Sequence, residues 1–200
     1  MERSPATPPL ILASASPRRL VLLGQIGIIP DTVIATELEE APLKRELPAR
    51  MARRLVAAKA DQVAKDHDDA FIVAADTVVA VGRRVLPKPE DANDARNCLE
   101  LLSGRRHRVL GAVAVIAPDG RRADRLVTTT VAFKRLAPAE IDAYLASDEW
   151  RGKAGAYAIQ GRAAAFVRWI NGSYSNVVGL PLFETNAILA GLGYPLSKDR

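Results

Sequence analysis

The sequence holds a single cysteine, Cys98, so it can build neither an intrachain disulfide nor a cysteine-based zinc site, and a reducing, cytoplasmic setting is expected. Its only two histidines, His67 and His107, have no histidine or cysteine partner at ligand spacing, which argues against either as a metal ligand. No apolar run approaches the roughly 20 residues of a membrane span, because a charge such as Asp76 or Arg83 interrupts each candidate. The apolar stretch Leu10-Ile11-Leu12-Ala13 is too short for a secretory h-region of roughly 7–15 residues. It reads as a first strand. Internal repeats and long linkers are also missing, so one domain over residues 1–200 is expected. Neither sign of charge is scarce: 28 basic residues stand against 23 acidic ones, a net charge of +5. The resulting pI near 9.6 favours anionic partners, whether nucleic acid, membrane surface or phosphorylated small molecules.

What is present describes an ordinary globular chain, 48% hydrophobic and 26% charged. At this length folding can bury roughly 70% of the unfolded surface, so no structural metal is needed. Ser16-Pro17 marks a helix start, and a helix over 17–23 should stop at Gly24. A strand over 31–35 leads into the acidic segment 36–42, which has no period and reads as a loop. From Pro48 a helix is expected to about Asp66, with Ala52, Leu55, Val56, Lys59 and Val63 on one face. The apolar run 71–75 ends in Asp76-Thr77 and continues through 78–81 to a turn at Gly82. Asp91 caps a helix that ends at Gly104, and 109–116 with 126–133 form a hairpin around Pro118-Asp119-Gly120. A helix over 138–145, a strand over 163–170 turned by Asn171-Gly172, and a helix from Pro181 to Gly191 complete the chain. The expected class is α/β, a mixed sheet flanked by helices with two lobes around a cleft.

Several residues stand out chemically. Arg18 and Arg19 in the first turn of a helix oppose its dipole, yet with Ser14, Ser16 and free backbone N–H groups they make a good polyphosphate site. A solvated basic pair fits the spacing equally well. Lys59 on an apolar face either snorkels to solvent, the commoner arrangement, or meets a bound anion. Lys88 is held between Pro87 and Pro89, and an exposed turn lysine is again the commoner case. The cluster Arg105-Arg106-His107-Arg108 has no interleaved aromatics and reads as a solvated turn rather than a nucleic-acid track. Asp76, at the end of a buried strand, should face a ligand crevice. One of Glu37, Glu39 and Glu40 beside it would suit Mg²⁺ held together with phosphates, although each alone is more simply a solvated loop residue. The glycines of 152–161 allow close approach to a flat ligand, and the Gln160 amide can pair with the O4 and N3–H edge of uracil or thymine. Flipped, it would suit cytosine.

Taken in order, Leu12-Ala13-Ser14-Ala15-Ser16-Pro17-Arg18-Arg19, Ala75-Asp76-Thr77-Val78-Val79, Pro87-Lys88-Pro89, Leu102-Ser103-Gly104, Lys153-Ala154-Gly155-Ala156-Tyr157-Ala158-Ile159-Gln160-Gly161 and Gly172-Ser173-Tyr174-Ser175-Asn176-Val177-Val178-Gly179-Leu180-Pro181 resemble the Maf family of nucleoside triphosphate pyrophosphatases. The resemblance spans nearly the whole chain. It implies an inosine-triphosphatase-like fold and hydrolysis of a nucleoside triphosphate to monophosphate and pyrophosphate with a divalent metal, Mg²⁺ or Mn²⁺. Carried over by motif, Asp76 is the proton acceptor, Lys59 and Lys88 hold the triphosphate in catalysis, and Glu40 joins Asp76 on the metal. Ser14, Ser16, Arg18, Arg19, Thr77 and Gln160 bind substrate, and Arg18, Thr77 and Gln160 match the dTTP/UTP-type branch. The family's Asp-Glu pair reads Glu39-Glu40 here, and its glycine before Lys-Pro is Pro87. The implied partner is a nucleoside triphosphate, with no stable nucleic-acid complex, no membrane, and a homodimer left open. Two other readings remain at this point: the same chemistry on modified purines such as 7-methyl-GTP, and a division-linked protein that binds nucleic acid or a partner without turnover.

Overall fold

The computed structural model describes residues 8–196, so both ends of the expected 1–200 domain lie outside the described residues. A seven-stranded mixed sheet runs in the order β2-β1-β3-β5-β6-β7, with β4 paired to β3. Its strands are β1 (Leu10–Ala13), β2 (Thr32–Val33), β3 (Phe71–Val81), β4 (Arg84–Leu86), β5 (Arg106–Ile116), β6 (Arg122–Phe133) and β7 (Val167–Asn171). β1 lies parallel to both β2 and β3, and every other pairing is antiparallel. Among the described residues six α-helices accompany it: α1 (Pro17–Gln25), α2 (Pro48–Ala64), α3 (Ala92–Leu102), α4 (Pro138–Leu145), α5 (Tyr174–Val178) and α6 (Leu182–Gly191). This is the expected mixed sheet flanked by helices. Among the described residues no helix is long and apolar enough to cross a membrane.

The alternation along β3 decides what each face meets. Phe71, Val73 and Ala75 pack with Leu22 and Leu23 of α1 and Ile188 and Leu189 of α6. Ile72, Ala74 and Val78 pack on the other face against Ala52, Leu55, Val56, Ala60 and Val63 of α2. The α2 stripe therefore sits where its helical period puts it. A third cluster joins the far ends of β3, β5 and β6 to α3, α4 and the segment 150–166, forming the second wall of a cleft. By the period of two, Asp76 follows Ile72 and Ala74 towards α2, and Thr77 follows Phe71 and Ala75 towards α1.

Three local expectations are corrected, and two elements are new. The strand expected over 31–35 is only Thr32–Val33, a two-residue edge beside β1. The strand expected over 163–170 begins at Val167, because Arg162–Phe166 is a 3₁₀ turn whose Ala163 and Phe166 point into the core. The basic cluster is no solvated turn: β5 starts at Arg106, so Arg106 and Arg108 face solvent while His107 is buried. His107 Nε2 meets the Tyr157 hydroxyl at 2.8 Å, and burial lowers its pKa to about 4. Finally, β4 and α5 were not expected. The first folds back on β3 through a Gly82 turn at φ +59°, and the second is one short helix capped by Ser173, whose hydroxyl accepts from the Asn176 N–H at 3.2 Å.

Candidate active site

Strand β1 ends at Ala13, and the chain turns through Ser14 and Ser16 into α1 with Pro17 at the first helical position. No side chain caps α1 and its first turn holds no acid, and while the Arg19 N–H donates to the Ser16 carbonyl at 3.1 Å, basic residues rather than acids stand at this helix start. Arg18 and Arg19 then part ways. Arg19 is buried and spends its guanidinium inside the protein: Nη1 donates to Ser14 Oγ at 2.7 Å, Nε to the Gly179 carbonyl at 2.9 Å and Nη2 to Thr77 Oγ1 at 3.4 Å. It ties the end of β1, the middle of β3 and the end of α5 to α1, and Ser14 and Thr77 are held by it. Arg18 keeps a buried Nε with no partner among the described residues, and burial lowers its pKa from the ordinary value. Such a donor is costly to leave unpaired. An anion in the cleft would pair it.

Below this turn lies a chain of charges. Lys59, carried inward by the apolar face of α2, does not snorkel: it is buried, and its Nζ donates to Asp76 Oδ1 and Glu40 Oε1, both at 2.7 Å. Glu40 Oε2 in turn accepts from Lys88 Nζ at 2.6 Å. Half-burial pushes the Glu40 carboxyl up, but the hydrogen bonds from Lys59 and Lys88 outweigh it and hold the pKa down at about 2. Glu37 and Glu39 are exposed and stand away from this chain, so Glu40 is the acidic-loop residue that reaches the cleft. Because its folded pKa lies below the ordinary 4.5, Glu40 adds stability above that pH and loses it as the pH falls towards 2. A Glu40→Gln variant should thus be less stable than the parent at pH 7, by about 1 kcal/mol at most because solvent screens the half-exposed pair. In melts at stepped pH the difference should close near the foot of that range.

The cleft that these residues share has a volume of about 500 Å³. Its lining brings together Ser14, Ser16, Arg18, Arg19, Glu40, Lys59, Asp76, Thr77, Lys88 and Gln160, every residue that the resemblance placed in the site. Arg151 and Lys153 also line it and had no role assigned to them. Burial, and then the charge of Arg18, lower the Lys153 pKa, so the second wall adds cations facing the first. Lys153 had a visible signal, since it opens the glycine-rich segment, but nothing in the spacing tells a cleft lysine from a surface one. Six basic side chains and two carboxylates make a strongly anion-seeking cleft. The Gly155 N–H donates to the Pro87 carbonyl at 3.2 Å, fastening the Lys88 loop to that wall. Gln160 is exposed at the rim.

The sequence matches the Maf-like protein family over residues 9–192. A protein of Rhodospirillum rubrum named dTTP/UTP pyrophosphatase is 63% identical over 191 residues, covering 96% of this chain and 91% of its own length. One of the same name from Paramagnetospirillum magneticum is 64% identical over 185 residues, covering 92% of this chain and 97% of itself. Among solved structures, a nucleoside-triphosphatase, dITP/XTP pyrophosphatase, from Mycobacterium abscessus is similar over 64% of this chain and 73% of its own, at a TM-score of 0.39 and 21% identity.

Proposed function

The chain belongs to the Maf-like family, and on that footing we propose that it is a nucleoside triphosphate pyrophosphatase that hydrolyses dTTP and UTP to the monophosphate and pyrophosphate. The observation that carries this reading is the buried Lys59 bridging Asp76 and Glu40 in a cleft where Arg18, Arg19 and Lys153 have no carboxylate partner among the described residues. Phosphoanhydride cleavage needs little covalent chemistry from a protein. It needs a placed water, a base, and positive charge where pyrophosphate departs.

Lys59 engages only one Asp76 oxygen, Oδ1, and so orients the carboxylate and leaves the other to take a proton. The oxygen of a water bonds to the α-phosphorus, its proton passes to Asp76, and the bond from that phosphorus to the bridging oxygen breaks. The electron pair leaves with pyrophosphate. Lys59, Lys88, Arg18 and the N-terminus of α1 offset the charge that grows there, which lowers the barrier more than it stabilises bound substrate. Among the described residues no three acidic, histidine or cysteine side chains cluster as a ready metal site. Mg²⁺ or Mn²⁺, which take one or two carboxylates and complete their shell with substrate phosphates and water, would be held by Glu40 and Asp76 once Lys59 and Lys88, which occupy three of the four carboxylate oxygens, turn to the phosphates. There the ion would supply charge neutralisation. A cytoplasmic setting, with its nucleotide pool and reduced buried Cys98, suits this chemistry. The reading needs no stable nucleic-acid complex and no membrane, and a homodimer is compatible with it.

Base choice falls to Gln160, with Arg18 and Thr77 fixing the nucleotide. In a panel of nucleotides read by pyrophosphate release, dTTP and UTP should turn over faster than ATP, GTP or 7-methyl-GTP. Gln160→Ala removes a base contact at the exposed rim, so discrimination should shrink by about 0.5–1.5 kcal/mol. A parent enzyme that prefers a purine, or a variant with unchanged preference, contradicts the reading.

A further inference from the structure

Gln160 lies in a turn, and a turn residue can select a base only if its backbone is held. The turn is fastened at its start by the Ala158 N–H, which donates to the Tyr144 hydroxyl at 3.1 Å, and closed by the Gly161 N–H on the Ala158 carbonyl at 3.0 Å. Its far side is held by a charge. The Arg162 backbone N–H donates to Glu149 Oε2 at 2.8 Å, while the Arg162 guanidinium stands 3.7 Å from Oε1.

Gly161 shows how tight this contact is. Its φ of −106° and ψ of −149° do not call for the left-handed freedom of glycine. A Cβ there would nevertheless lie 2.0 Å from Glu149 Oε2 and 2.8 Å from its Cδ. The carboxylate thus lies flat on the Gly161 Cα, one residue after Gln160, and glycine is needed because of it. Glu149 is itself anchored, for the next residue, Trp150, is buried with its Nε1 donating to the Leu145 carbonyl at 3.1 Å. Glu149 is not a lining residue of the cleft.

We infer that Glu149 is a positioning residue for base recognition: by accepting the Arg162 N–H and packing on Gly161 it fixes the turn that presents the Gln160 amide to the nucleobase. This rests on the reading of Gln160 as the base-selecting group. A charged acceptor on a backbone N–H is among the stronger hydrogen bonds. Losing it frees the Gln160 amide to turn and accept a cytosine edge as readily as a uracil edge.

The test compares kcat/KM for UTP, CTP and ATP, by pyrophosphate release, in the parent chain and in Gln160→Ala, Glu149→Ala, Glu149→Gln, Gly161→Ala and the double variant Glu149→Ala/Gln160→Ala. Glu149→Ala should lower the UTP-to-CTP ratio about fivefold or more, the scale of one well-placed hydrogen bond. Glu149→Gln should keep most of the ratio, because its amide oxygen can still accept the Arg162 N–H. Gly161→Ala, which displaces the carboxylate while retaining it, should reproduce the loss, and it serves as the second probe if Glu149→Ala does not fold. The double variant should discriminate no worse than Gln160→Ala alone. The proposal is overturned if Glu149→Ala and Gly161→Ala keep the parent ratio while Gln160→Ala loses it, or if Glu149→Gln falls as far as Glu149→Ala. An unchanged ratio in Gln160→Ala overturns the base reading itself, and the proposal with it.

Discussion

Asp76→Asn should lower kcat for dTTP by about 10²- to 10⁴-fold, the range expected when a positioned general base is removed. The substitution keeps size and shape. Asparagine also keeps an oxygen that can accept from Lys59 Nζ, and Lys59 retains Glu40 at 2.7 Å, so the buried ammonium is not orphaned. Folding should survive and KM should move much less than kcat, because what is lost acts in the transition state. Steady-state kinetics beside a thermal melt checks this. Turnover within a few-fold of the parent would remove Asp76 from the role of proton acceptor.

The second large effect is on stability. In Gly111→Ala the new Cβ would lie 1.8 Å from Asn176 Oδ1 and 3.0 Å from its Cγ. Asn176 cannot step aside, since it is fully buried and its Nδ2 donates to the Val109 carbonyl at 3.2 Å and to Thr129 Oγ1 at 3.0 Å. Overpacking and broken buried hydrogen bonds together should cost about 2–5 kcal/mol. For a chain of this size the melting temperature should fall by about 4–20 °C, as calorimetry would record. Adding Asn176→Ala should not double the loss, because both changes strike one contact. The effect reaches the active site: α5, which carries Asn176, leads into Gly179, whose carbonyl receives Arg19 Nε. An unchanged melting temperature would show that β5 and α5 can separate freely.

The residues that were legible in the sequence are those whose chemistry conflicts with their local setting. Asp76 interrupting an apolar strand, Lys59 in an apolar stripe and two arginines at a helix start each signalled a partner elsewhere, and all four line one cleft. The conflict did not say which partner. Arg19 resolves it with protein groups and Arg18 leaves a donor free, although the two are adjacent and identical in type. The misread segments failed for a different reason. In Arg106-His107-Arg108-Val109 the inward positions alternate as in any strand, but an inward histidine hides the pattern from a hydrophobic count. Over 163–166 a short apolar run fits a strand and a packed 3₁₀ turn equally, and only the long-range contacts of Ala163 and Phe166 decide. The hold of Glu149 on Gly161 joins α4's connector to another loop, and no local period records it.

The most direct measurement is hydrolysis of UTP in water enriched in ¹⁸O, with both products analysed by mass spectrometry. Attack of water at the α-phosphorus with Asp76 as base predicts one ¹⁸O in UMP and none in pyrophosphate. Label in pyrophosphate, release of orthophosphate in its place, or no cleavage at all would contradict the account.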